Sequence, residues 1–216
     1  MGVLTLPVSL RKVRRNIQDH GLLITIRKAT SFLLRPFYEH ATYRLYKIDL
    51  KHTRTSSCDI NGIEFRLLDA SDREVIRQIE NTSEWLDGSV ERRLKDGAVC
   101  IAAIDHEKLA GFNLISFGDV YMPLIRRHHR FRPREAWSEQ IAVSKDFRKK
   151  GLGVSLRLRI FSELHRRGYQ SLYGGALADN IPSLKLAERV GFREFVDVDY
   201  TRILTSRNWH YKRIHK

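Results

Sequence analysis

The stretch that decides the fold of this chain is Trp137–Ser155, which reads WSEQIAVSKDFRKKGLGVS. Its first part, Trp137–Val143, is a short apolar run that predicts a buried strand. The polar and basic turn Ser144–Lys150 follows, and Gly151-Leu152-Gly153 then opens a helical pattern. A strand that passes through such a turn into a helix start is suited to hold an anion, because the first N–H groups of a helix lack intrahelical acceptors.

The spacing of the glycines indicates which kind of anion loop this is. Arg148–Gly153 forms an R-x-x-G-x-G run, and neither GxxxxGK[ST] nor GxGxxG is present. The run resembles the pyrophosphate loop of the GNAT superfamily, the acetyl-CoA-dependent N-acetyltransferases. A second stretch, Asp179–Phe192, is similar to the family's Asn at a strand end, short helix and Gly-Phe. The resemblance is specific over Trp137–Phe192.

The resemblance implies an α/β GNAT fold, with a central mixed, mostly antiparallel twisted sheet of six to seven strands flanked by helices. Hydrophobic patterns upstream agree, since they predict strands at 63–68, 98–104 and 109–117, with helices after Ser71 and around 90–95. We expect a GNAT domain over residues 57–216, preceded by a basic amphipathic helical extension over residues 1–56.

The central helix, predicted over Gly153–Arg167, has an apolar face that we expect in the core. The positions on that face are Leu156, Ile160, Phe161 and Leu164. Arg157, Arg166 and Arg167 are predicted to face outward.

The net charge of +14 favours anionic partners. Residues 1–56 hold 11 Lys/Arg and 3 Asp/Glu, a net of +8, whereas residues 57–216 hold 28 and 22, a net of +6. A phosphorylated metabolite, a membrane surface and nucleic acid are all compatible with such a balance. Nucleic acid is the least favoured, because no recognised binding module is visible.

Amphipathic patterns over residues 8–46 predict three short helices, the third at Phe37–Tyr46. Two interpretations stay open. The apolar stripes pack on the catalytic domain or on a second subunit of a homodimer, or they form an interfacial membrane helix with a basic face. Because nothing resembles a signal peptide, we expect a cytoplasmic protein, with peripheral attachment to the inner face of the membrane as the alternative.

The link Gly118–Glu135 carries five arginines within residues 126–134. It is either a solvated loop or a clamp for an anionic acceptor or lipid head groups. The clamp would be formed by Arg126, Arg130 and Arg134, since the arginine fork suits phosphate and carboxylate.

The resemblance also implies which residues bind acetyl-CoA, or another acyl-CoA, as co-substrate. Backbone N–H groups of the strand end would bond the pantetheine chain and the thioester oxygen, namely those of Ile141, Ala142 and Val143. The pyrophosphate would be surrounded by the loop, namely Arg148, Lys149, Lys150, Gly151, Leu152, Gly153 and Val154. Asn180 and Ser183 match positions on the other side of the cofactor, although Asn180 is equally suited to cap the following helix. No metal is expected, since HExxH and paired CxxC motifs are absent.

Glu139 is the predicted general base, because it lies two residues before Ile141 and would share a strand face with Ile141 and Val143. Glu135 is the weaker substitute. Ala187 stands where many family members carry a Tyr as general acid. Tyr173 or Tyr121 would supply the proton instead, the thiolate would leave unassisted, or Ala187 would leave room for a longer acyl chain.

These observations together predict direct acyl transfer in a ternary complex, from acyl-CoA to an amine of a small-molecule or peptide acceptor. Two alternatives remain open at this point. One is a cofactor-binding or membrane-tethering GNAT-like protein without catalysis, and the other is a long-chain acyltransferase at the membrane surface.

Overall fold

The computed structural model describes residues 37–53, 59–82, 86, 89–123 and 125–214. These residues fall into two compact units, a larger one within residues 42–198 and 211–214 and a smaller one of residues 37–41 with 199–210. The helices predicted before residue 37 lie outside the described residues and stay predictions. The domain boundary predicted between residues 56 and 57 also stays a prediction.

Strands and helices alternate through the described part of the chain. The strands are β1 (Tyr38–Asp49), β2 (Ile63–Leu67), β3 (Val99–Asp105), β4 (Lys108–Phe117), β5 (Asp119–Met122), β6 (Arg127–Arg130), β7 (Glu135–Val143), β8 (Ser171–Leu177), β9 (Arg193–Ile203) and β10 (Ser206–Arg213). The helices are α1 (Arg73–Thr82), α2 (Val90–Lys95), α3 (Leu152–Arg166) and α4 (Ile181–Arg189). Short 3₁₀ turns occupy Leu50–His52 and Lys145–Phe147.

The strands form an eight-stranded sheet, in the order β10-β9-β1-β8-β7-β4-β3-β2, and a separate two-stranded sheet of β5 and β6. Pairing is antiparallel between β2 and β3, β3 and β4, β4 and β7, and β1 and β8, whereas β7 and β8 are parallel. The predicted α/β class with a mixed, mostly antiparallel sheet is therefore confirmed. Within the described ranges the main sheet has eight strands instead of six to seven, because β1 adds one that the sequence patterns did not predict.

The helix predicted at Phe37–Tyr46 is wrong, since these residues open strand β1. β1 runs antiparallel along β8, from Tyr43 opposite Leu177 to Asp49 opposite Ser171. Its tyrosines and isoleucine suit a strand, but Leu45, Tyr46 and Ile48 are all buried. Burial on both faces leaves no polar–apolar alternation in the sequence, which is why the strand pattern was hidden.

The core lies on the two faces of the main sheet. On one face, α3 buries the predicted apolar positions Leu156, Ile160, Phe161 and Leu164. On the other face, Val75, Ile76 and Ile79 of α1 pack with Phe112 and Leu114 of β4. Ala110 and Ile115 of β4 pack in the first layer, so this strand serves both core layers.

The link predicted as a long loop, Gly118–Glu135, contains a β-hairpin. β5 and β6 pair from Asp119 opposite Arg130 to Met122 opposite Arg127. All four residues of β6 are exposed, so the hairpin presents its basic side chains to solvent.

The smaller unit, where the structure describes it, is joined by contacts between residues 37–41 and 199–210. The Leu204 N–H donates to the Phe37 carbonyl oxygen at 2.6 Å. The guanidinium of Arg202 pairs with Glu39, with Nε 3.4 Å from Oε2.

No helix in the described ranges is long and apolar enough to cross a membrane.

The close contact between Tyr46 of β1 and Gly174 of β8 predicts that a larger residue at position 174 lowers stability. An added Cβ at Gly174 would lie 2.5 Å from Cε2 of Tyr46, which is 2% exposed. We expect Gly174→Ala to lower the free energy of unfolding by about 1–3 kcal/mol, because the buried ring has to move. Urea denaturation measures the change.

Tyr46→Leu supplies the control for this contact. If the steric conflict is the cause, Gly174→Ala should cost less in the Tyr46→Leu background than in the wild-type chain. Strictly additive losses in the double variant would contradict the explanation.

Candidate functional site

The site begins where β7 and β8 part. Their parallel pairing covers three residue pairs, ending with Trp137 opposite Tyr173. β7 continues to Val143 while paired with β4 on its other edge, and β8 continues to Leu177 while paired with β1. Because alternate residues of β7 direct their N–H groups away from β4, the end of this strand offers donors to the opening between β7 and β8.

A β-bulge at Glu139 shifts the faces of β7. Ile115 pairs with Ser138 and Leu114 pairs with Gln140, so Glu139 is the extra residue. Ile141 and Val143 pack with the α3 core, whereas Glu139 contacts Arg93 of α2 on the opposite side of the sheet. The prediction that Glu139 shares a face with Ile141 and Val143 is wrong, since the bulge breaks the two-residue alternation.

The turn from β7 into α3 is held in an open conformation. The Ser144 N–H donates to the Ala110 carbonyl at 2.8 Å, and Arg148 Nε donates to the Val143 carbonyl at 3.2 Å. Lys149 and Gly151 adopt left-handed φ angles of 64° and 82°. Successive backbone N–H groups in a turn that contains left-handed residues form an anion-binding concavity.

Backbone donors remain available in this turn. Within the described residues, the N–H groups of 149–153 have no hydrogen-bond acceptor. Arg148, Lys149 and Lys150 are exposed beside them. Exposed N–H groups, the positive helix end and three cations in one turn suit a phosphate or pyrophosphate.

The second stretch that resembles the family begins with a helix cap. Asn180 precedes α4, and its side-chain oxygen accepts a hydrogen bond from the Ser183 N–H at 3.3 Å. Asn180 therefore caps the helix, which was one of the two roles left open for it. Both residues lie at the start of α4, and a contact with a cofactor stays a prediction for each.

The carboxylate of Glu139 is buried and paired. It accepts a hydrogen bond from the Ser116 hydroxyl and forms a salt bridge with Arg93. Only 6% of its side chain is exposed. Its role as a general base stays a prediction.

A cavity of about 1070 Å³ adjoins the last paired residues of β7 and β8. Apolar side chains from several elements line one part of it, including Leu45, Met122, Ile125, Phe131, Trp137, Phe195 and Val196. Phe131 stacks on Trp137 with ring centroids 5.7 Å apart. A basic rim is supplied by Arg127, His128, His129, Arg130, Arg132 and Arg213.

Glu135 and Tyr173 form the polar centre of this cavity. The Tyr173 hydroxyl donates to Glu135 Oε1 at 3.1 Å, and the Arg132 N–H donates to Oε2 at 2.9 Å. Burial, reinforced by the neighbouring Glu135 carboxylate, raises the pKa of the Tyr173 hydroxyl. Tyr173 is therefore protonated at neutral pH and is the donor in this hydrogen bond.

The structure separates the three arginines of the predicted clamp. Arg130 lines the cavity, but Arg126 and Arg134 are not among its lining residues, and both have left-handed φ angles at turns. Their places in the lining are taken by Arg127 and Arg132. The substrate-binding role of the clamp stays a prediction for each residue.

Two further positions have structural surroundings that bear on the chemistry. Ala187 is 4% exposed and packs in the α3 core, so the position of the missing Tyr belongs to the hydrophobic interior. Cys100 is fully buried in β3, and burial raises the pKa of its thiol, which makes it a packing residue and not a nucleophile. Among the described residues, no group of His, Cys, Asp and Glu could hold a metal ion.

Arg157 is the residue that sequence reasoning misplaced most. It was predicted to face outward, but it is 2% exposed and points into the core. Its Nη1 donates to the Ser138 hydroxyl at 2.6 Å, and Ser138 donates to Asn113 Oδ1 at 3.3 Å. A signal was present in the sequence, because Arg157 follows the core residue Leu156 and comes three positions before Ile160.

Comparison with known proteins identifies the family. The sequence profile of the acetyltransferase (GNAT) family matches residues 64–192, more than half of the chain. The chain therefore belongs to the acetyltransferase (GNAT) family, as the R-x-x-G-x-G loop and the Gly-Phe landmark predicted. No curated protein matches the chain.

Solved structures agree with this fold. A GCN5-related N-acetyltransferase from Sphaerobacter thermophilus is 16% identical, with a TM-score of 0.57, covering 82% of this chain and 56% of that one. A tandem GNAT protein from the clavulanic acid biosynthesis pathway is 15% identical, with a TM-score of 0.58, covering 84% of this chain and 59% of that one. The chain thus spans little more than half the length of these structures, and the likeness shows the fold.

The co-substrate of the GNAT family is acetyl-CoA, and the residues present here fit it. The acceptor-less N–H groups of residues 149–153 fit the pyrophosphate. The open edge of β7 at Ile141–Val143 fits the pantetheine chain, because the backbone groups of the strand and the amides of pantetheine can serve as each other's hydrogen-bond partners.

The turn into α3 generates a binding prediction. At Gly151, where φ is 82° and no atom lies within 4 Å of an added Cβ, Gly151→Asp would place a carboxylate beside the acceptor-less N–H groups. We expect acetyl-CoA affinity, measured by calorimetry, to fall by at least about tenfold, since like charges repel and the left-handed backbone is strained.

Gly168→Asp is the matched control for this substitution. Gly168 has a φ of 78°, has equally open surroundings and follows the opposite end of α3. Its variant carries the same charge and a similar backbone strain, so acetyl-CoA affinity should be retained. Equal losses in the two variants would show that strain, and not the loop charge, is responsible.

Proposed function

We propose that this chain transfers an acyl group from acyl-CoA to the amine of an acceptor that combines an anionic group with an apolar body. The observation that carries the proposal is the cavity that meets the last residue pair of β7 and β8, Trp137 and Tyr173. Acyl-CoA held along the end of β7 and an acceptor held in this cavity would approach the same point.

Direct transfer between the two substrates is the mechanism that the residues support. A covalent acyl-enzyme requires an activated nucleophile beside a base, and Cys100 is buried in the core. Acyl-CoA supplies the activated acyl carbon, and its sulfur keeps the electron pair of the broken carbon–sulfur bond. The protein then has to position both substrates and accept the proton that the amine loses.

Glu135 is the proton acceptor that the cavity favours. Its carboxylate lines the cavity and is oriented by the Tyr173 hydroxyl and the Arg132 N–H. Glu139 is not a lining residue of the cavity, and its carboxylate is already engaged by Arg93 and the Ser116 hydroxyl. Glu135 therefore replaces Glu139 as the proposed base.

The acceptor class follows from the cavity lining. Arg127, Arg130, Arg132 and Arg213 line it, and Glu135 is the single carboxylate among its described lining residues. Guanidinium groups bind phosphate and carboxylate through paired donors. The aromatic wall of Phe131, Trp137 and Phe195 would bury an apolar portion of the same acceptor.

A pair of glutamate substitutions tests the base. Glu135→Gln should lower kcat at neutral pH by about 10²–10⁴, the usual contribution of a general base. Activity of this variant should rise about tenfold per pH unit up to the amine pKa, because the neutral amine then forms without help. Initial rates of CoA release over a pH series measure both effects.

Glu139→Gln is the companion variant. It should lower stability, since it leaves Arg93 without its buried charge partner, but the folded protein should keep its pH profile. Loss of turnover with Glu139→Gln, together with retained turnover in Glu135→Gln, would return the base assignment to Glu139. Absence of turnover in the wild-type chain, with CoA still bound, would favour a cofactor-binding protein without catalysis.

Matched amines test the acceptor class. Phenylalanine should be acylated with a lower KM than phenethylamine, and phosphoethanolamine with a lower KM than ethanolamine, since each pair differs by one anionic group. Arg130→Ala should raise the KM of the anionic member by about tenfold, which corresponds to about 1.4 kcal/mol, and leave the neutral member unchanged. Arg134→Ala, from outside the cavity, is the control.

A further inference from the structure

Arg157 is a buried cation without a carboxylate partner. Its side chain is 2% exposed, and within the part of the chain that the structure describes the titratable group that faces it is the phenol of Tyr46, while no carboxylate pairs with it. The Ser138 hydroxyl accepts from Nη1 at 2.6 Å, whereas Nε has no acceptor. An uncompensated buried charge destabilises a fold by several kcal/mol, so its presence in an otherwise apolar helix face requires an explanation.

The position of the guanidinium group supplies that explanation. Ser138 directly follows Trp137, the last residue of β7 that pairs with β8. On the β8 side, Gly174 directly follows Tyr173 and packs against the ring of Tyr46. Phe192 joins the two sides, with its ring centroid 5.3 Å from the Arg157 guanidinium carbon and 5.0 Å from the centroid of Tyr46. Arg157 therefore lies buried beneath the point at which β7 and β8 part, the apex of the opening between them.

The acids near this apex are poorly matched to a thiolate. Ala187 offers no hydroxyl, and burial raises the pKa of Tyr173 above that of an ordinary phenol. A thiol has a pKa of about 8.5 and a phenol one of about 10, so transfer of a proton from Tyr173 to the sulfur is unfavourable. Burial lowers the pKa of Arg157, yet a guanidinium starts high enough to stay charged at every physiological pH.

We propose that Arg157 forms an anion site for the sulfur of CoA and stabilises it as the thiolate when the carbon–sulfur bond breaks. This inference rests on the proposed function. The electron pair of that bond stays on sulfur, the acyl carbon bonds to the amine nitrogen, and the amine proton passes to Glu135. No proton donor for the sulfur is then needed, and the charge of Arg157 is compensated only when the thiolate is present.

CoA and desulfo-CoA, which lacks the thiol, distinguish this site from the rest of the cofactor site. The full chain is titrated with each by calorimetry over a pH series, and thiolate absorbance is followed in parallel. With Arg157 present, the pKa of the bound thiol should fall at least one unit below that of CoA in solution. The ratio of CoA to desulfo-CoA affinity should therefore rise about tenfold as pH increases through that interval, and then level off.

Arg157→Met should abolish this rise while desulfo-CoA still binds, and Arg157→Lys should retain part of it because it keeps a positive charge. The Met variant should also be at least as stable as the wild-type chain, since an apolar side chain replaces an uncompensated charge. Arg159→Met is the matched control. Arg159 lies on the same helix but pairs with Asp59 and stacks over Phe65, so its loss should leave the thiol pKa unchanged.

Other outcomes overturn the inference in distinguishable ways. A pH-independent affinity ratio in the wild-type chain, with acetyl-CoA still bound, would refute the thiolate site and leave the proposed acyl transfer standing. A rise that persists in Arg157→Met would also refute the role of Arg157. Failure of acetyl-CoA, CoA and desulfo-CoA to bind at all would refute both proposals.

Discussion

Three residue pairs hold β7 beside β8, and the site depends on where that pairing stops. Beyond Trp137 and Tyr173 the two strands keep their outer partners, β4 and β1, but no longer pair with each other. Backbone N–H and C=O groups without partners are costly inside a sheet. An opening between two strands therefore suits a ligand that brings its own donors and acceptors. The bulge at Glu139 also decides which groups face each side of the sheet at this point. It turns the Glu139 side chain toward α2, whereas Ile141 and Val143 at the strand end pack toward α3.

β1 gives the opening a rigid second wall. Seven consecutive pairs join it to β8, and its Tyr46 ring occupies the space over Gly174 that any larger residue would fill. The same ring meets Phe192 edge-on, which connects the end of the second landmark to the apex. Residues well before the matched family region thus shape the point at which Arg157 lies, and a domain defined by residues 64–192 alone would lack this wall.

The sequence predicted the elements whose signals are local, and failed where tertiary context decides. α2, β4 and the apolar face of α3 follow from the spacing of apolar residues, and the R-x-x-G-x-G loop follows from the need for backbone close to an anion. The residues of β1 lack the alternation of a strand because both of its faces are buried, and their pattern therefore wrongly predicts a helix. The face of Glu139 was misjudged since one extra residue in a strand leaves no mark in the sequence. Arg157 was placed in solvent by the rule that arginine is exposed, a rule that buried functional groups break.

The basic residues of this chain act over different distances, and that difference argues for a division of roles. Arg148, Lys149 and Lys150 are exposed, so salt screens them over about 8 Å and their attraction for a phosphate is strong mainly on approach and at contact. Arg157 is shielded from water, where the same charge interacts several times more strongly but only with a group that reaches the apex. The exposed cations attract any anion, whereas the buried Arg157 stabilises only a negative charge that forms beside Ser138. A preorganised charge that is unsatisfied in the resting protein and satisfied as charge develops is the arrangement that lowers a barrier, because no solvent has to reorganise around it.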